Sequence, residues 1–222
     1  MERIPEVEVI SEMTDARRFS ELMGSNRFRI EGYRQLARQA VAMGIPTGGK
    51  VLDMGTGPGF VAIEVAKLLR ETGCQIVGMD MSAVMLELAA ENAEKAGLNG
   101  AMIWREGNAS AMPFGDDEFD LIVSNDSLHH WENAQAVFSE ISRILKVDGK
   151  CIVHDSKRLQ HWWPWLFVKL LSLSIPRDFR VHWWNSIKSS YTINELEAIL
   201  RGSQLTGWSI EEDFIDLTVV KR

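Results

Sequence analysis

A carboxylate, three glycines and a proline stand together in Asp53-Met54-Gly55-Thr56-Gly57-Pro58-Gly59. Glycines at alternate positions let the backbone turn tightly and come close to a bound molecule. The spacing is G-x-G-x-G, not the G-x-G-x-x-G that receives a pyrophosphate, and Pro58 removes one amide that a phosphate cradle would use. Asp53 would repel a pyrophosphate and attract an ammonium group. A second carboxylate, Asp80, follows the strand expected at residues 75–79. A carboxylate there can accept both hydroxyls of a ribose. The two acids together fit a nucleoside that carries an amino acid, with a dinucleotide, or a glycine run that only shapes the turn, as the alternatives.

Two later segments hold groups able to move or orient protons. Asn125-Asp126-Ser127-Leu128-His129-His130-Trp131 contains two imidazoles. Either His129 or His130 could accept a proton from a hydroxyl or amine near neutral pH, or serve only hydrogen bonds within the loop. Trp131 is a candidate substrate contact. In His154-Asp155-Ser156, Asp155 could orient a substrate amine or hydroxyl, or cap a following helix. Cys151 reads as inert core, and no ligand spacing typical of a metal site occurs, so no metal is expected.

The elements that must position these groups alternate. Strands are expected near residues 51–54, 75–79, 101–105, 119–124 and 150–154. Helical patterns lie between them, one capped by Ser82 and one marked by Ala136, Val137, Ile141, Ile144 and Leu145. Alternation of this kind predicts βαβ units and a parallel sheet. Ahead of the core, residues 1–48 carry two expected helices, near residues 13–23 (capped by Ser11 or Thr14) and 30–43. The stretch at residues 157–191 holds Trp162, Trp163, Trp165, Trp183 and Trp184, five of the eight tryptophans. Thr192 then opens a helix with Glu195 at the capping-box position. Residues 208–214 and 216–221 read as a terminal strand pair.

Five of these elements, taken in order, resemble the class I S-adenosylmethionine-dependent methyltransferases. Residues 51–59 are similar to their first motif, and Val77-Gly78-Met79-Asp80-Met81-Ser82 to their ribose-binding strand end. Gly107-Asn108-Ala109 is similar to the adenine-side contact, with Asn where the family usually has Asp. Phe119-Asp120-Leu121-Ile122-Val123-Ser124 resembles the fourth strand, and residues 144–150 the turn before the fifth. The nearest flavour is the small-molecule branch of the ubiquinone and menaquinone enzymes. The resemblance implies a Rossmann-like, doubly wound α/β fold: a mostly parallel seven-stranded sheet of order 3-2-1-4-5-7-6, last strand antiparallel, with N-terminal helices and a lid insertion after strand five. It also implies S-adenosylmethionine as cofactor, held by Asp53, Gly55, Thr56, Gly57, Gly59, Asp80, Met81, Asn108, Ala109 and Asn125. One domain is expected across residues 1–222: an N-terminal cap at 1–48, a cofactor core at 49–156, the Trp-rich insertion at 157–191 and a terminal helix and strand pair at 192–222.

Composition bounds the acceptor. Lys and Arg number 24 against 31 Asp and Glu, a net charge of -7, which disfavours a nucleic-acid partner. The loop after strand four also lacks the Asn-Pro-Pro-Tyr pattern of DNA adenine methyltransferases. A small-molecule acceptor is expected, in a cytoplasmic protein of undefined oligomeric state. The Trp-rich stretch reads first as a lid, with a membrane-surface or dimer contact as alternatives. The competing functions are a cofactor-binding module without catalysis and a nicotinamide-dependent oxidoreductase.

Overall fold

A computed structural model describes Arg3 and residues 10–98, 100–160, 166, 168, 169, 172 and 177–222, with backbone only for residues 177–179 and 181–183. Its centre is one sheet of seven strands: β1 (Lys50–Met54), β2 (Gln75–Asp80), β3 (Met102–Glu106), β4 (Phe119–Asn125), β5 (Leu145–Ser156), β6 (Trp208–Glu212) and β7 (Asp216–Lys221). Their order is β3-β2-β1-β4-β5-β7-β6. β1 to β5 run parallel, and β7 runs antiparallel to both β5 and β6. Topology and terminal hairpin both match the expectation.

Helices cover the two faces: α1 (Met13–Ser25), α2 (Arg27–Ala42), α3 (Phe60–Leu68), α4 (Ala83–Lys95), α5 (Ala134–Ile144), α6 (Arg177–Ser189) and α7 (Ile193–Gly202), with a short 3-10 turn at Leu128–His130. Alternate residues of a strand point to opposite faces. Val51, Leu121, Val123 and Ile152 accordingly pack with Leu36 and Ala37 of α2 and Val61 and Val65 of α3. Leu52, Met54, Ile122 and Val153 pack with Phe138 and Ile141 of α5 and Leu196 and Leu200 of α7. β1 is apolar on both faces because parallel strands are covered on both sides. Among the described residues, no helix is long and apolar enough to cross a membrane.

The caps follow side-chain chemistry. Ser82 accepts from the Met85 amide at the start of α4. Thr192 and Glu195 form the reciprocal capping box of α7. The N-terminal helices differ from expectation. Neither Ser11 nor Thr14 caps α1, whose N-cap is Glu12 with no side-chain bond. α2 begins at Arg27 rather than near residue 30, because the Asn26 side chain accepts from the amides of Phe28 and Arg29. β5 is also longer than expected. Its pairing with β4 shifts register between Phe119 and Leu121, so residues 146–149 loop out before Lys150 resumes the ladder. Trp162, Trp163 and Trp165 lie outside the described residues, while α6 carries Trp183 and Trp184.

Candidate active site

β1 has β2 on one side and β4 on the other, and the chain crosses from one half of the sheet to the other between them. The crevice beyond the carboxyl ends of such strands is where ligands bind in open α/β sheets. The glycine loop after β1 fills its floor. Gly55 and Thr56 donate their amides to the Met79 carbonyl at 2.8 and 2.9 Å. Gly55, Gly57 and Gly59 all have positive φ, at 70°, 50° and 82°, a region that costs other residues about 1 kcal/mol or more. The three serve different ends. A Cβ at Gly55 would lie 2.3 Å from Ser127 Oγ, and one at Gly59 would lie 2.9 Å from the Ala89 Cβ. Those two positions need glycine for packing. A Cβ at Gly57 would meet nothing within 4 Å, so its surroundings are open to a ligand.

Asp53 sits beneath this loop, 2% exposed. Its Oδ2 accepts from Thr56 Oγ1 at 2.7 Å and from the Ala62 amide at 3.0 Å. Burial pushes its carboxyl up to about 6, with the Asp80 charge adding to the rise and the two hydrogen bonds opposing it. The folded chain therefore keeps a proton that the unfolded chain, titrating near 4, has already lost. This contribution to stability is fully present below about pH 4 and lost as pH rises to about 6, by about 2–3 kcal/mol. Asp53→Asn keeps an acceptor for Thr56 and Ala62 but cannot titrate. Denaturant melts of both proteins from pH 4 to 7 should give a smaller fall in stability across that window for the variant. Identical profiles would contradict the raised carboxyl.

Asp80 ends β2 with both oxygens engaged. Oδ2 accepts from the Gly57 amide at 2.8 Å and Oδ1 from the Ser82 amide at 2.9 Å. Burial raises its pKa, against the pull of the Ser82, Gly57 and Met81 amides and of the His130 charge. His130 lies in the 3-10 turn that follows β4, the strand beside β1. Met81, next along, is 54% exposed, an apolar side chain left at the rim of a polar site. On the β3 side, Asn108 Oδ1 accepts from the Ser110 amide at 2.8 Å, and Ala109 packs against the core. α5 holds this connection: Glu140 accepts from the Met112 amide, and Arg143 donates to the Met112 and Phe114 carbonyls.

The segment after β4 separates its residues sharply. Asn125 Nδ2 donates to Asp126, whose positive φ of 50° is supported by an ion pair with Arg29 of α2 at 3.0 Å. His129 is 4% exposed. Its Nδ1 lies 2.8 and 2.9 Å from the two Asp155 oxygens, and its own amide donates to Asp155 at 2.8 Å. Asp155 is 1% exposed and also accepts from the Ser156 amide. Burial alone would raise its carboxyl, but the His129 charge and hydrogen bonds hold it below the usual carboxylate range. His130, by contrast, is exposed, with its ring 4.1 Å from that of His129. Trp131 is 6% exposed, donates its indole N–H to Ser127 Oγ at 3.0 Å and packs edge-on against Phe138. Asp155 and Trp131, expected as substrate contacts, thus lie beneath the loop rather than on its surface. Cys151 is buried, its thiol pushed up to about 12 by desolvation, so it stays protonated.

Sequence reasoning named Ser127 within the segment after strand four without giving it a role, though it packs against Gly55 of the glycine loop, and missed Arg29, which pairs with Asp126 from outside any motif. Their roles arise from contacts between distant segments.

The architecture is that of the class I S-adenosylmethionine-dependent methyltransferases. The profile of a methyltransferase domain family matches residues 45–182, and the chain belongs to that family. Among curated relatives, an uncharacterized methyltransferase of Bacillus subtilis is 31% identical over 106 residues, covering 48% of this chain and 40% of that one. A ubiquinone/menaquinone biosynthesis C-methyltransferase of Shewanella pealeana is 32% identical over 118 residues, covering 53% and 47%. A demethylmenaquinone methyltransferase of Lactiplantibacillus plantarum is 28% identical over 155 residues, covering 67% and 65%. The chain thus spans less than half the length of the first two. Among solved structures, a methyltransferase of provisional assignment from Methanococcus maripaludis superposes with a TM-score of 0.74 at 23% identity, over 99% of this chain and 97% of that one. The [4+2]-cyclase SpnF does so at 0.59 and 23% identity, over 81% and 59%. At such identities only the fold is shared, and the cyclase illustrates that this fold serves more than one reaction.

Proposed function

We propose that the chain transfers the methyl group of S-adenosylmethionine to a small-molecule acceptor. The observation that carries this reading is the grouping, beyond the carboxyl ends of neighbouring strands, of Asp80 and the exposed Met81 at β2, the open space at Gly57 after β1 and the exposed His130 after β4. These residues fit the cofactor. The Gly55–Gly57 backbone, with the Asp53 carboxyl beneath it, would hold its amino-acid end, Asp80 its ribose and Met81 a face of its adenine. Asn108 and Ala109 would lie along the adenine edge, and Asn125 between cofactor and acceptor.

When bound, the sulfonium supplies an activated methyl group, so the chain has only to align a nucleophile behind it and exclude water. The chain's own part would be to hold the acceptor atom in line with that methyl group, so that the sulfur could leave as a neutral thioether. If the acceptor atom carries a proton, His130 takes it, because His130 is exposed beyond β4 whereas His129 is buried against Asp155. The His129–Asp155 pair then acts as the foundation of the turn that presents His130. The insertion at residues 157–191 would cover the acceptor as a lid, its aromatic content favouring apolar or cationic molecules. The net charge of -7 supports a small molecule over a nucleic acid, and two free cysteines are in keeping with a cytoplasmic protein.

Quinone C-methyltransferases, a sterol 24-C-methyltransferase and an erythromycin O-methyltransferase among the relatives suggest the panel to try: reduced quinones, sterols and sugar hydroxyls. Purified protein with methyl-labelled cofactor should give a labelled product with at least one of these classes. Tight cofactor binding with no transfer across the panel would favour the binding module instead.

A further inference from the structure

Arg3 reaches the turn that carries the two histidines. Its Nη2 donates to the His129 carbonyl at 3.0 Å and to the Trp131 carbonyl at 3.2 Å. Those carbonyls stand immediately before and after His130. Its Nε donates to the Ser189 carbonyl, at the end of α6, at 2.6 Å. The guanidinium lies over the Tyr191 ring, 4.1 Å from the centroid, and the Tyr191 hydroxyl donates to the same Trp131 carbonyl at 3.1 Å. A planar cation with several donors can hold several carbonyls at once in fixed geometry, which an ammonium cannot copy. The stacked ring sets the plane of that fork.

We infer that Arg3 is a positioning residue for methyl transfer, clamping the main chain on both sides of His130. A 3-10 turn of three residues has few hydrogen bonds of its own. Within it, the His130 amide donates to Ser127 and the Trp131 amide to Leu128. The carbonyls of His129 and Trp131 accept from Arg3 instead, and that of Trp131 also from the Tyr191 hydroxyl. Asp155 fixes the turn from below through His129, and Arg3 fixes it through the backbone. The Ser189 contact ties that clamp to the end of α6, so the histidine turn and the end of the insertion meet at the Arg3 side chain. Ile10 is held separately, where Ser82 Oγ, two residues after Asp80, donates to its carbonyl at 2.7 Å. Loss of Arg3 should therefore disturb the acceptor side and leave cofactor binding in place.

This inference rests on the reading of His130 as the group facing the acceptor, and the test separates the two. Arg3→Ala, Arg3→Lys and His130→Ala are compared with the wild type in three measurements: amide hydrogen exchange across residues 127–132, calorimetric affinity for S-adenosylmethionine, and turnover on an acceptor from the panel. Arg3→Ala should speed exchange at those amides, keep cofactor affinity within about twofold and lower kcat about ten- to a hundredfold, the cost of a reacting group displaced by about an ångström. Arg3→Lys should recover only part of kcat, and millimolar guanidinium should recover part of it in Arg3→Ala. Unchanged exchange in Arg3→Ala overturns the inference whether or not an acceptor is found. So does a kcat equal to wild type while His130→Ala is impaired, or an equal loss of cofactor affinity and kcat. A His130→Ala enzyme with wild-type turnover would instead overturn the underlying role of His130.

Discussion

His130→Ala is expected to lower turnover by about 10²- to 10⁴-fold, the usual share of a general base, while affinity for S-adenosylmethionine changes little. The reason is placement. Of two adjacent histidines, the 3-10 turn sends one down onto Asp155 and leaves the other exposed beyond the end of β4. Asp155→Asn should act more weakly, by about tenfold, because it loosens a support and leaves the proton acceptor intact. The order of the two effects decides the assignment. If Asp155→Asn abolishes turnover and His130→Ala does not, the buried His129–Asp155 pair is the base. If neither matters, the acceptor loses no proton in the rate-limiting step.

Gly55→Ala and Gly57→Ala should separate folding from binding within one loop. At Gly55 the new methyl would stand 2.3 Å from Ser127 Oγ and 2.8 Å from its Cβ, on a backbone with φ of 70°. Overpacking of 1–3 kcal/mol and about 1 kcal/mol of left-handed strain predict a loss of about 2–4 kcal/mol in stability. At Gly57 the backbone is also left-handed, but the methyl would enter open space. The expected stability loss there is about 1 kcal/mol. Its methyl would occupy room proposed for the cofactor, so binding should weaken more than stability does. Chemical denaturation and calorimetry on both variants check this. Equal stability losses, or full cofactor affinity in Gly57→Ala, would contradict the division of labour.

Much of this fold was legible because its signals are local. Buried runs such as residues 51–54 bounded by glycine, and caps such as Ser82 and Thr192 with Glu195, specify elements through neighbouring residues. The boundary at Asn26 was not, since residues on both sides of that cap continue a helical pattern and only the side-chain bonds end one helix and start the next. The candidate cofactor residues were readable from glycine spacing and from carboxylates at strand ends. The histidine turn was readable only as a place. Which way Asp155 faces depends on the β5–β7 register, which sets it opposite Leu217 while His154 pairs with Thr218 and bonds its hydroxyl. Arg3 binds carbonyls more than a hundred residues away, and no pattern of side chains announces a contact with main-chain oxygens.

The central claim is that the crevice between β1, β2 and β4 receives S-adenosylmethionine through Asp80. Calorimetric titration tests it most directly, with S-adenosylmethionine and NAD run against the wild type and against Asp80→Ala. S-adenosylmethionine should bind the wild type with one site per chain and bind the variant more weakly by about 1–3 kcal/mol, the cost of ribose hydroxyls losing a charged acceptor, while NAD gives no specific heat. Equal affinity in the variant, or NAD binding tightly where S-adenosylmethionine does not, would contradict the account.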